Sequence, residues 1–114
     1  KTISIPNTVD LIGTGAFLGC YEIEAVDVRV IEGSHDVIYS SYEGALIREY
    51  LGTTYLEYYP VARKGDYTVP ANVDSIRNKA FQYADYLENL TISKEVTYIA
   101  DQAFFHCLAL KNIT

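Results

Sequence analysis

A pattern of the form Val-x-x-Ile-x-x-x-Ala-Phe-x-x-small occurs three times in this chain. It runs from Val9 to Cys20, from Val73 to Ala84 and from Val96 to Cys107. Nothing else in the sequence restricts the fold as strongly, because self-similarity at a fixed period decides architecture before any local preference does. The longer segments Ile3 to Val26, Tyr67 to Leu90 and Leu90 to Ile113 superpose without gaps, and the last two begin 23 residues apart. One such unit cannot bury its apolar face alone, so stacked neighbours must bury it for one another.

Each repeated position has a physical task. In "LENLTI", Leu87 to Ile92, the side chains of Leu90 and Ile92 alternate inward while Thr91 points out, as in a strand. Val96 and Ile99 carry the chain back along the far side. Ala103 and Cys107 are four apart, which places them on one face of a short helical turn. Ala16 with Cys20, and Ala80 with Ala84, occupy the matching places. Phe17, Phe81 and Phe104 are expected to stack as one aromatic column. A 20–29-residue period with apolar residues at fixed offsets is the signature of leucine-rich repeats.

The repeats resemble the BspA-type leucine-rich repeat family of bacterial surface and secreted proteins. The resemblance rests on Pro6, Val9, Ile12, Gly13, Ala16, Phe17 and Cys20 in the first repeat. Pro70, Val73, Ile76, Ala80, Phe81 and Leu87 carry it in the second, and Val96, Ile99, Ala103, Phe104, Cys107 and Leu110 in the third. Ser93, Ala84, Arg77, Ala100 and Ile23 depart from the family pattern without breaking its hydrophobic register. The middle segment, Tyr39 to Pro60, is similar to a longer repeat variant in which a β-hairpin replaces the back of one coil, with Glu43 where the family has Asp. Independently, "GALIRE" and "TYLEYY" are β-rich runs around "YLGT", which suits a hairpin.

The expected fold is therefore mostly β with short helical turns. It is a leucine-rich repeat solenoid, a right-handed β superhelix of about four coils with one enlarged by a β-hairpin. Residues 1–114 form a single domain, with coils at 3–25, 26–66, 67–89 and 90–112. The chain reads as a fragment of a longer solenoid whose open ends can self-associate by strand pairing.

Composition excludes several functions. The net charge of -6 argues against nucleic acid and anionic membranes as partners, since both call for basic patches. No apolar run reaches the length of a membrane helix. Two cysteines are too few for a disulfide scaffold. Cys20 and Cys107 hold the same corner position three coils apart, about 14 Å at the spacing of stacked strands. A disulfide needs Cα atoms within about 7 Å, so two free, buried thiols are expected.

Chemistry-bearing motifs are few. "GSHD", Gly33 to Asp36, puts Ser, His and Asp in a row, but a triad needs members that converge in space, so a polar loop is expected. His106 belongs on a turn surface beside an inward Cys107, and neither that pair nor the scattered acids form a metal-ligand set. Asn89 and Asn112 head glycosylation sequons that the repeat itself generates. No catalytic residue, cofactor or metal is expected, and the segment reads as non-enzymatic.

Two surfaces remain. The outward strand row Ser4, Asp27, Thr68, Thr91 and Thr114 is a flat polar face of the kind repeat proteins use for partners. Seven of the eleven tyrosines lie between Tyr39 and Tyr67, in the part that does not repeat. Tyrosine offers large amphipathic contact area at low entropic cost, and it also stacks on sugars. Tyr42, Tyr55 and Tyr58, with Asp27, Thr68 and Thr91, are the candidate ligand contacts. The family resemblance implies protein binding or adhesion at a cell surface or after secretion, with a host or cell-surface protein as partner and a glycan as the alternative. A structural spacer and an accessory polysaccharide-binding region of a larger surface enzyme are the competing readings.

Overall fold

The computed structural model describes residues 1–8, 12–13, 16–17, 19–29 and 37–114. Among these the regular structure is all strand, a β-solenoid of about four turns. Strands β1 (Thr2–Pro6) and β2 (Ala25–Arg29) pair in parallel, Ser4 opposite Asp27. Strands β6 (Tyr67–Thr68), β8 (Asn89–Thr91) and β10 (Asn112–Ile113) form a second parallel sheet, with Thr68 opposite Thr91. The far side holds a five-stranded sheet in the order β3 (Val37–Tyr42), β4 (Ala45–Tyr50), β5 (Thr53–Tyr58), β7 (Ser75–Ile76), β9 (Tyr98–Ile99).

The repeat register is visible in side chains as well as backbone. Asn89 Nδ2 donates to Asp66 Oδ1 and Asn112 Nδ2 to Asn89 Oδ1, each at 2.9 Å and each across 23 residues. The sequon asparagines thus spend their amides on a ladder between coils. Inside, Val73, Ile76, Ala80, Phe81, Ala84, Leu87 and Leu90 are all essentially sealed from solvent, as the recurring pattern requires. Ile99 is exposed because β9 is the edge of its sheet.

Among the described residues the corners are hydrogen-bonded turns without α-helix. Ala80 N–H donates to Arg77 O, and Ala84 N–H to Phe81 O. Lys79 and Tyr83 stand at φ of 64° and 62°, and Gln102 and His106 repeat this at 58° and 61°. Two left-handed residues within five prevent right-handed helical dihedrals from propagating.

The enlarged coil carries the expected hairpin β4–β5 and one strand more. β3 pairs antiparallel with β4, making a three-stranded meander. Both connections are two-residue loops with both residues at positive φ, Glu43-Gly44 and Leu51-Gly52, the geometry that matches the twist of a hairpin. Gly44 is needed twice over: a Cβ there would stand 3.2 Å from both Cα and Cβ of Ala25.

The expected single phenylalanine column is not what forms. Tyr59, Phe81 and Phe104 stack with centroids 4.9 and 5.2 Å apart, whereas Phe17 packs against Tyr58 at 4.8 Å. The enlarged coil supplies two adjacent rings, and they serve different neighbours. The core divides between them, with Tyr59 and Phe81 in one cluster and Phe17, Tyr39, Leu46 and Tyr58 around the other.

The cysteines are both free, and Cys20 is exposed, not buried. The enlarged coil brings Pro60–Lys64 alongside coil one, with Ala62 N–H donating to Ile23 O at 2.8 Å, and no Ala-Phe corner to cover Cys20. Cys107 is half-buried and donates to Phe81 O at 3.0 Å, and burial pushes its pKa up to about 11. A charged alkylating reagent at neutral pH is therefore expected to modify Cys20 in the native protein and Cys107 only slowly, since the thiolate is the reactive form. Peptide mapping by mass spectrometry after brief labelling checks this order.

Candidate functional site

The tyrosine-rich sheet is built on a buried charge cluster. Glu57, on β5, has a side chain 7% exposed, and its Oε1 lies 2.7 Å from Arg48 Nε and 3.7 Å from Arg77 Nε. Both guanidinium groups also lie over the Tyr55 ring, at 4.5 and 5.4 Å from its centroid. A ring face attracts such cations, so Tyr55 is clamped rather than free. Burial raises the Glu57 pKa above its ordinary value, against the lowering effect of the two arginines.

The candidate tyrosines occupy different settings. Tyr42 is exposed at the β3–β4 loop and meets Tyr67 edge-on at 6.4 Å. Its carbonyl accepts a hydrogen bond from Tyr67 Oη at 3.1 Å. Tyr55 is half-buried between the arginines. Tyr58 is half-buried against Phe17, and burial pushes its pKa up to about 12, with the Val61 backbone acting the other way. Tyr58 borders a cavity of about 20 Å³ beside Phe17, Leu46, Glu57 and Gln82, room for one water. Ile38, Tyr50 and Leu51 add exposed apolar area to the meander.

Asp27, Thr68 and Thr91 are exposed on their strands, but the expected continuous row is split. β2 and β6 belong to different sheets, because the Glu43-Gly44 loop stands between them. Val26 N–H donates to Gly44 O at 2.8 Å on one side. On the other, Arg63 Nε donates to Glu43 O at 3.1 Å and lies over Tyr67 at 5.1 Å. Ser4 and Asp27 form one piece of the row, and Thr68 and Thr91 another.

The Ser-His-Asp run at 33–36 lies outside the described residues. His106 is exposed and faces Asp85 at 3.4 Å. Among the described residues no three His, Cys, Asp or Glu side chains converge on a metal position, and no helix is long and apolar enough to cross a membrane.

Sequence reasoning missed Tyr21 and Tyr86. Their rings are 62% and 52% exposed, and they share a cleft with Lys64 and Glu22. Their proximity depends on what the enlarged coil omits, and no local pattern signals it.

Comparison with known proteins agrees with this geometry. Residues 1–41 and 63–114 match the family described as BspA type Leucine rich repeat region (6 copies). No curated protein matches the chain. Among solved structures, a leucine rich cell surface protein from Faecalibacterium prausnitzii A2-165 is 28% identical with a TM-score of 0.84, covering 98% of this chain and 28% of that one. A leucine-rich repeat protein from Eubacterium ventriosum is 26% identical with a TM-score of 0.72, covering 100% of this chain and 36% of that one. The pneumococcal vaccine antigen PcpA shares the fold at 23% identity and a TM-score of 0.82, covering 100% of this chain and 27% of that one. The chain thus spans little more than a third, or less, of each of these proteins.

Proposed function

Because the chain belongs to the BspA-type leucine-rich repeat family, we propose that it is a non-catalytic adhesion module of a cell-surface or secreted protein, contacting a protein partner through its tyrosine-rich meander. The observation that carries this reading is the exposed pair Ile38 and Tyr42, which share one face of β3, on a sheet braced by the Arg48–Glu57–Arg77 cluster. A surface held this firmly loses little entropy on binding. Tyr42 is the leading contact and Tyr55 lies in reach, while Tyr58 supports the meander from the core side. Asp27, Thr68 and Thr91 form a secondary polar surface. The cell-surface description of the Faecalibacterium protein favours the same location here. The coils are those at 3–25, 26–66, 67–89 and 90–112.

The test is binding to immobilised extracellular-matrix proteins by the intact chain and by an Ile38→Ser/Tyr42→Ser variant. Both positions are partly exposed, so circular dichroism should be unchanged. Binding is expected to weaken roughly tenfold or more in the variant, the cost of losing well-packed apolar contacts. Undiminished binding would move the contact to the Thr68–Thr91 strip, and a chain that binds none of the proteins would be a spacer.

A further inference from the structure

Regular coils turn through an Ala-Phe corner, but the enlarged coil passes instead through Pro60–Lys64 and leaves a gap. The flanking corners reach over it, and Tyr21 meets Tyr83 edge-to-face at 5.9 Å. Tyr21 also borders an open cleft of about 430 Å³, lined with it by Lys1, Glu22, Glu24, Ala62, Lys64 and Tyr86. We propose that this cleft binds carbohydrate, taking a pyranose unit of a neutral glycan on the Tyr21 ring, beside Tyr86 and Lys64.

The chemistry of the lining selects that occupant. A pyranose presents a flat face of C–H groups and a rim of hydroxyls. It needs an aromatic face on which to stack and polar groups beside the ring that donate and accept. Tyr21 and Tyr86 are the exposed rings. Lys64 Nζ stands 5.5 Å over one face of the Tyr86 ring, so the sugar stacks on Tyr21 and meets Tyr86 beside the Lys64 donor, with the exposed Glu22 as an acceptor. Lys1 and Glu24 complete the lining as a further donor and acceptor. The volume falls in the range of small-ligand sites and accommodates one or two sugar rings.

A protein interface has a different composition, its centre being depleted of charge, whereas here charged groups stand among the rings. Both signs are present and nearly balanced, so neither a polyanion nor a polycation is favoured. Both walls are fixed by the backbone. Ala62 N–H bonds to Ile23 O, and Tyr83 N–H, three residues before Tyr86, bonds to Phe105 O at 3.0 Å. The cleft is preformed and needs no rearrangement to bind. It is independent of the meander surface, so either site can fail without the other.

Four disaccharides serve as probes: cellobiose, lactose, mannobiose and N,N′-diacetylchitobiose. Saturation-transfer NMR on the intact chain reads binding. At least one probe is expected to bind with a Kd of roughly millimolar order. Tyr21→Ala and Tyr86→Ala should each weaken it about tenfold or more, and Lys64→Ala should weaken it less. Tyr42→Ser, on the meander, should leave it unchanged. Circular dichroism confirms folding of each variant. Saturation transfer from none of the four probes would overturn the proposal, as would transfer that survives in the Tyr21→Ala/Tyr86→Ala double variant. Capture of a matrix protein that Tyr86→Ala abolishes and no disaccharide competes would also overturn it, making the cleft a protein contact.

Discussion

Phe81→Ala is expected to lower the unfolding free energy by about 3–5 kcal/mol, through lost transfer energy plus the cavity left behind. Phe81 is fully buried, and its ring lies between Tyr59 and Phe104. Tyr59 is kept from closing the space by Arg63, whose Nη1 donates to its hydroxyl at 3.3 Å. Urea denaturation of the two proteins measures the difference as a shift in midpoint at unchanged slope. Phe17→Ala should cost less, since that ring sits in the smaller cluster and is only partly buried. Equal losses at the two positions would mean the core is not divided at Tyr58-Tyr59.

Removing the Glu57 carboxylate is the second large effect. Glu57→Ala leaves Arg48 buried beside Tyr55 without its counter-charge, and breaking a buried pair in this way costs about 3–5 kcal/mol. Arg77 is the more exposed of the two arginines and can turn toward water, so the penalty falls mainly on Arg48. Replacing both members, Glu57→Leu with Arg48→Met, should recover most of the loss, because no unpaired charge stays buried. The pH dependence has a definite sign. The native pKa of Glu57 is raised from 4.5 by burial, so in the window above 4.5 the native state holds a proton that the unfolded chain has released. Stability from this group therefore falls as pH rises through that window and grows as pH falls. Wild-type and Glu57→Gln proteins compared by denaturation across mildly acidic pH should diverge with that sign.

The regular coils were readable because their inward residues recur. Val73, Ile76, Phe81 and Leu87 needed only the period and the rule that stacked coils share a core. The hairpin was readable from β-rich runs around Leu51-Gly52. Strand β3 escaped because Glu43-Gly44 is an equally good two-residue turn that the repeat pattern did not single out. Phe17 and Cys20 were misplaced for one shared reason. Their positions were inferred from regular neighbours, and their actual neighbour is the enlarged coil. The split of the strand row at Gly44 has the same origin, as does the Tyr21–Tyr86 cleft. Periodicity describes contacts between equivalent residues, and each of these features is a contact between a regular coil and an exception.

The ladder from Asp66 through Asn89 to Asn112 makes coil length a counted quantity. Adding one residue between 69 and 88 would carry Asn89 out of reach of Asp66 and reverse which strand side chains face inward. Excising a whole 23-residue unit would instead present the next asparagine to the same partner. Changes in the size of such a domain are therefore tolerated in complete turns, or as whole extra strands that extend the sheet and core of one coil as β3 and β4 do.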